Sequence, residues 1–137
     1  MEIKELQKEI HQNNVAKGFW EDKETKNVPE LLMLCVSELS EALEAYRKGR
    51  MNRLRVFNQD LGYARVTIED FTEGNENLPW LKNRFETEIK DTFEDEIADT
   101  VIRLLDLSEG LGIDLETHIR LKLQYNKTRP YKHNKAY

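Results

Sequence analysis

Apolar residues recur along the chain with a helical period, and polar or glycine-bearing gaps cut that pattern into segments. Ile3, Leu6, Ile10 and Val15 supply the apolar side of a first amphipathic helix over 2–17, and Gly18 is its stop. The aromatic pair Phe19-Trp20 follows, at a position that seals a core, and a polar linker from Glu21 to Asn27 comes next. A second helix starts near Pro29, a residue tolerated in a first turn, and runs to about Lys48 before Gly49. On a wheel of 100° per residue, Leu31, Leu32, Cys35, Val36, Leu39, Ala42, Leu43 and Tyr46 form one broad apolar arc on it. Residues 51–78 are less regular. Leu54, Phe57, Leu61 and Val66 allow a short helix with Gly62 interrupting it, and 72–77 is a polar loop. A long helix then runs from Asn77 or Pro79 to Glu109, with a bend or break near 89–91, and Gly110 and Gly112 end it. Its apolar arc is Ile89, Phe93, Ile97, Thr100, Val101, Leu104 and Leu107. Asp114 caps a final helix to about Asn126, and from Thr128 the chain reads as an extended basic and aromatic tail.

This order of elements predicts an all-α fold: an antiparallel bundle of about four to five helices forming a single domain over 1–137, with a variable insertion at about 51–78. The apolar arcs are too wide for one small bundle to cover, since Ala98, Ile102 and Leu105 lie well round from Ile97. An oligomer is therefore expected. Composition adds limits. Of 137 residues, 39% are hydrophobic and 34% charged, and six Gly and three Pro suit a helical chain better than a turn-rich β fold. A formal charge of −5 argues against a nucleic-acid polymer as partner, which calls for basic surface. The single cysteine, Cys35, lies on the apolar arc and reads as a buried core thiol. No apolar run approaches about 20 residues and no signal peptide opens the chain, so no membrane association and a cytoplasmic location are expected.

Two acidic steps change the picture from fold to chemistry. Glu38 and Glu41 lie three residues apart on the second helix, and Glu96 and Asp99 repeat that spacing on the later one. Such spacing puts both carboxylates of a pair on one face, with Cβ atoms about 5–6 Å apart. Glu38 falls inside the apolar surface, Glu41 at its edge, Glu96 at the border of the second arc and Asp99 just beyond. The two pairs hold nearly the same angular position, so helices packed antiparallel would point four carboxylates into one cleft. Two like charges about 4 Å apart repel by roughly 4 kcal/mol at an effective dielectric near 20. Either some of the four are protonated or a cation sits among them. Oxygen ligands without His or Cys favour a hard cation, Mg²⁺ or Mn²⁺, over zinc.

Cations stand at the other end of the chain. Lys122 and Asn126 share a face of the last helix, and Arg129 follows; Lys122 and Arg129 are suited to hold phosphate oxygens. His11, Asn14, Phe19 and Trp20 precede the acidic helix and are candidates for contacts to a base or sugar. A nucleophilic triad finds no support, since no Ser or Cys has a recognisable base or strand-turn setting, and no glycine-rich phosphate loop is present.

Glu38-Leu-Ser-Glu41, then Glu96-Ile-Ala-Asp99 with an Ile-Arg-Leu-Leu-Asp-Leu run behind it, resembles the MazG-like all-α nucleoside triphosphate pyrophosphohydrolases. Lys122-Leu-Gln-Tyr-Asn126-Lys-Thr-Arg129-Pro and the following Tyr131 to Tyr137 are similar to the C-terminal segment of that family, and Gly18-Phe19-Trp20 also fits. The resemblance covers about residues 10–50 and 85–137. It implies a helical core built as a homodimer or homotetramer, and divalent metal held by Glu38, Glu41, Glu96 and Asp99. The implied reaction is Mg²⁺-dependent hydrolysis of a nucleoside triphosphate to the monophosphate and pyrophosphate, with Glu41 and Glu38 as the catalytic carboxylates. Two features depart from the family pattern. Many members carry adjacent glutamates at the first motif, where this chain has Ser37, and the gap between motifs is longer here. The alternative expectation is a helical accessory protein that keeps the metal scaffold without turnover.

Overall fold

A computed structural model describes residues 2–134. Among them there are six α-helices and no strand: α1 Ile3–Ala16, α2 Val28–Arg47, α3 Leu54–Ala64, α4 Leu78–Glu88, α5 Phe93–Gly110 and α6 Leu115–Lys127. Short 3-10 turns lie at Lys23–Thr25, Ile68–Asp70 and Tyr131–Asn134. The all-α expectation holds, with six helices in place of four to five. The helix expected from Asn77 to Glu109 breaks into two at the place expected near 89–91. Asp91 adopts φ 58°, a left-handed conformation that Asp tolerates better than most residues. There the Thr92 hydroxyl donates to Ile89 O at 2.6 Å, and the Phe93 N–H donates to Arg50 O at 2.9 Å. Gly62 does not interrupt α3, which closes three residues later on Arg65 at φ 55°. The Val66 N–H returns to Leu61 O at 3.0 Å, a Schellman closure that carries Val66 into the core. The stretch from Thr128, expected to be extended, includes the turn at Tyr131–Asn134. Lys135 and Tyr137 lie outside the described residues.

The expected stops act where a glycine can take positive φ. Gly49 (φ 66°) and Gly112 (φ 68°) follow α2 and α5. Arg50 and Ile113 then donate back to Ala45 O at 2.9 Å and Ser108 O at 2.8 Å. Asp114 caps α6, accepting from the Thr117 N–H at 3.1 Å.

The chain divides into two compact units, residues 1–31 with 102–137 and residues 32–101, so the boundary falls within α2 and within α5. In the first unit α1 meets α6 and the end of α5. The Gln7 amide donates to Glu109 Oε2 at 2.8 Å and to Ile113 O at 3.0 Å, and the Lys4 N–H donates to Glu116 at 3.2 Å. Trp20 is buried against Gly110, where a β-carbon would overlap its indole ring. In the second unit α3 and α4 pair around Phe57, Leu61, Val66 and the fully buried Leu81, flanked by Phe85 and Ile89. The irregular stretch 51–78 thus supplies one side of a helical hairpin. Beside that core lies an ionic cluster. Arg84 pairs with Asp60 and with Glu88 at 3.0 Å, and Glu88 also meets Arg53 at 3.1 Å.

Candidate metal centre

The face that α2 buries is narrower than its apolar arc and differs in composition. Cys35, Glu38, Ala42 and Ala45 are buried, whereas Leu32, Val36, Leu39, Leu43 and Tyr46 stay exposed. Small side chains let another element approach closely, and the buried glutamate lies among them. On α5 the matching buried residues of the second unit are Glu96 and Thr100, with Thr92 just before the helix, spaced four apart on one side. The Thr100 hydroxyl donates to Glu96 O at 3.0 Å, so it is satisfied within its own helix. The Tyr46 and Phe93 rings lie 5.5 Å apart, and Glu38 and Glu41 lie beside Glu96, so these two stretches run in opposite directions.

Carboxylate oxygens of Glu38, Glu41 and Glu96 all lie within 4.8 Å of one another. Glu38 is 7% exposed and Glu96 5%, while Glu41 opens to solvent. Burial pushes the Glu96 carboxyl up to about 7, and the neighbouring charges of Glu41, Asp99, Glu38 and Asp95 push in the same direction. Asp99 does not complete the mutual set, but its charge bears on Glu96. The set offers one oxygen from each of three carboxylates and contains no His or Cys, a donor chemistry that fits a hard divalent cation. A cation there would offset the repulsion that now favours the protonated Glu96. Ser37, next to Glu38, donates its hydroxyl to Leu34 O at 2.7 Å.

The other expected residues belong to the first unit. Three of the four base or sugar candidates converge on one carboxylate that sequence reasoning passed over. Asp106 meets His11 Nδ1 at 2.7 Å and accepts from the Asn14 amide at 2.8 Å and from the Trp20 indole N–H at 2.9 Å. The His11 and Trp20 rings meet edge to face at 4.7 Å. Asp106 stands between Leu105 and Leu107, both buried, and its carboxylate is satisfied by these donors. Phe19 does not join this group; it is 64% exposed. Lys122 and Arg129 flank the Tyr125 ring, with their charges 5.2 and 6.0 Å from its centroid. His118, Leu121, Lys122 and Tyr125 line an open cavity of about 520 Å³. The Asn126 amide oxygen is buried without a partner. No helix among the described residues is long and apolar enough to cross a membrane.

No family model, curated protein or solved structure matches the chain, so the MazG-like resemblance rests on its own residues.

Proposed function

We propose that this protein is a divalent-cation-dependent hydrolase that converts a nucleoside triphosphate to its monophosphate and pyrophosphate. The observation that supports this most is the convergence of Glu38, Glu41 and Glu96 within 4.8 Å, from two motifs more than fifty residues apart in the sequence. Glu38, Glu41 and Glu96 would hold Mg²⁺ or Mn²⁺, with Asp99 contributing charge beside them. A cation bound there supplies charge neutralisation along the phosphates and makes a nearby water more acidic. Glu41, the member open to solvent, takes the proton of the attacking water. The water oxygen bonds to the α-phosphorus, and the bond from that phosphorus to the oxygen bridging to the β-phosphorus breaks. Pyrophosphate leaves with that oxygen. Positioning and charge neutralisation supply most of the rate, because transfer of this kind asks little covalent chemistry of the protein. Ser37 has no part in the proton transfer, since its hydroxyl is spent on Leu34.

Lys122, Asn126 and Arg129 are proposed as phosphate contacts, and His11, Asn14, Phe19 and Trp20 as contacts to base or sugar, on the strength of the sequence pattern. The substrate implies a cytoplasmic protein. Self-association through the exposed side of α2 is part of the same reading. A second reading, a helical accessory protein that binds the cation without turnover, draws on Ser37, which leaves the first motif without its usual neighbouring carboxylate.

A panel of ribo- and deoxyribonucleoside triphosphates with Mg²⁺, scored for pyrophosphate, separates the two. Release from at least one nucleotide, lost in Glu41→Gln and Glu38→Gln, is the expected result. Cation binding without release from any nucleotide would favour the accessory reading, and absence of both would remove the metal centre.

A further inference from the structure

The α3–α4 hairpin carries chemistry that the carboxylate centre does not use. An open cavity of about 430 Å³ lies on its surface, lined by Asp60, Tyr63, Ala64, Trp80 and Arg84. That volume is within the range of small-molecule sites, roughly 300–1,000 Å³. Asp60 and Tyr63 are three residues apart on α3, and Trp80 and Arg84 four apart on α4, so each helix offers one aromatic ring and one charged group to the same space. Both rings have area to cover: Tyr63 is 84% exposed and Trp80 37%. Ala64 adds no side chain beyond its β-carbon and leaves room between them.

The polar groups are partly spent. Arg84 uses Nη2 for both Asp60 Oδ2 and Glu88 Oε1. Among the described residues its Nη1 has no partner and its Nε is sealed away without one. Asp60 likewise keeps Oδ1 outside the pair. Asp60 and Arg84 both line the cavity, and their pair leaves one acceptor oxygen and one donor nitrogen outside it. Arg53 and Arg84 balance Asp60 and Glu88 in charge, so the cluster favours neither an anion nor a cation.

We propose that this cavity binds a small, uncharged, planar heterocycle that carries a carbonyl oxygen next to a ring N–H, the edge shared by lactams and nucleobases. The ligand N–H donates to Asp60 Oδ1 and its carbonyl accepts from Arg84 Nη1. Its faces stack on Trp80 and Tyr63, as bases stack on aromatic side chains of other proteins. The site needs neither phosphate nor metal, so it is independent of the proposed hydrolase.

The chain has two tryptophans, Trp20 and Trp80, so two indole N–H signals report on it, with Trp80→Phe giving the assignment. ¹⁵N-labelled full-length protein is titrated without metal with uracil and with 2-pyridone, and with pyridine, which has the ring but neither the carbonyl nor the N–H. A saturable shift of the Trp80 signal with uracil or 2-pyridone, with Trp20 unmoved, is the expected result. Tyr63→Ala should weaken it at least tenfold; that side chain is nearly all in solvent, so the fold does not depend on it. Pyridine should bind at least tenfold more weakly than 2-pyridone. A Trp80 signal that does not move, a response to pyridine equal to that of 2-pyridone, or an unchanged affinity in Tyr63→Ala would overturn the proposal.

Discussion

Glu96 is a carboxyl group placed where its charge is unwelcome. Its neighbours Glu41, Asp99, Glu38 and Asp95 are all acidic, and burial adds the largest push. The consequence for stability has a definite sign. The group titrates near 7 in the folded chain and near 4.5 when unfolded, so between those values the folded state holds the extra proton. Its contribution is fully present below about pH 4.5 and is lost as pH rises through about 7. Metal-free protein should therefore melt at a lower temperature at pH 8 than at pH 5.5. Glu96→Gln, which removes the charge and keeps the shape, should reduce that difference when melting is followed at both pH values. An equal difference in the variant would mean that Glu96 is not the group responsible.

Between α3 and α4 the account turns on packing. Leu81 is fully buried among Phe57, Leu61 and Val66. Leu81→Ala removes three carbons from a core with little else to fill the space and should cost about 2–5 kcal/mol. Urea denaturation measures it as a fall in midpoint at unchanged slope, and a loss under 1 kcal/mol would place Leu81 outside a tight core. This hairpin was the part of the chain least legible beforehand. Leu54, Phe57 and Leu61 fall on α3 as their helical spacing predicts, but Val66 lies past its end, and Gly62, which suggests an interruption, does not break it. The left-handed turn that ends α3 falls instead on Arg65, a residue with no turn signature. The break expected near 89–91 is there, before α5, on Asp91 rather than on a glycine or proline. The stops at Gly49 and Gly112 and the cap at Asp114 were legible because each rests on local backbone chemistry. The acidic pairs were legible for the same reason, as spacing on a helix. Asp106 was not. Its partners His11, Asn14 and Trp20 are remote in sequence, and no local pattern announces three donors meeting one carboxylate.

At the scale of the molecule, α2 raises the question of what covers it. The wheel put Leu32, Val36, Leu39, Leu43 and Tyr46 on the apolar arc beside Cys35 and Ala42, yet of these seven the chain buries only Cys35 and Ala42, together with Glu38 and Ala45. Leu32, Val36, Leu39, Leu43 and Tyr46 recur at steps of four and three, a continuous stripe in solvent. Ile97 and Val101 on α5 are also partly exposed. Contiguous apolar surface of this kind is uncommon on a monomer. Light scattering at low micromolar concentration should give at least a dimer, and Leu39→Lys with Leu43→Lys should shift it to monomer. A wild-type monomer would contradict the proposed self-association and leave the carboxylate centre, which α2 and α5 of a single chain assemble, untouched. That centre is the claim on which the proposed function stands. Its most direct test is a titration of the metal-free protein with Mg²⁺ near pH 8, following the melting temperature. A preformed site predicts a saturable rise that Glu38→Gln and Glu96→Gln each abolish. A wild-type protein that does not respond, or variants that respond as it does, would contradict the assignment.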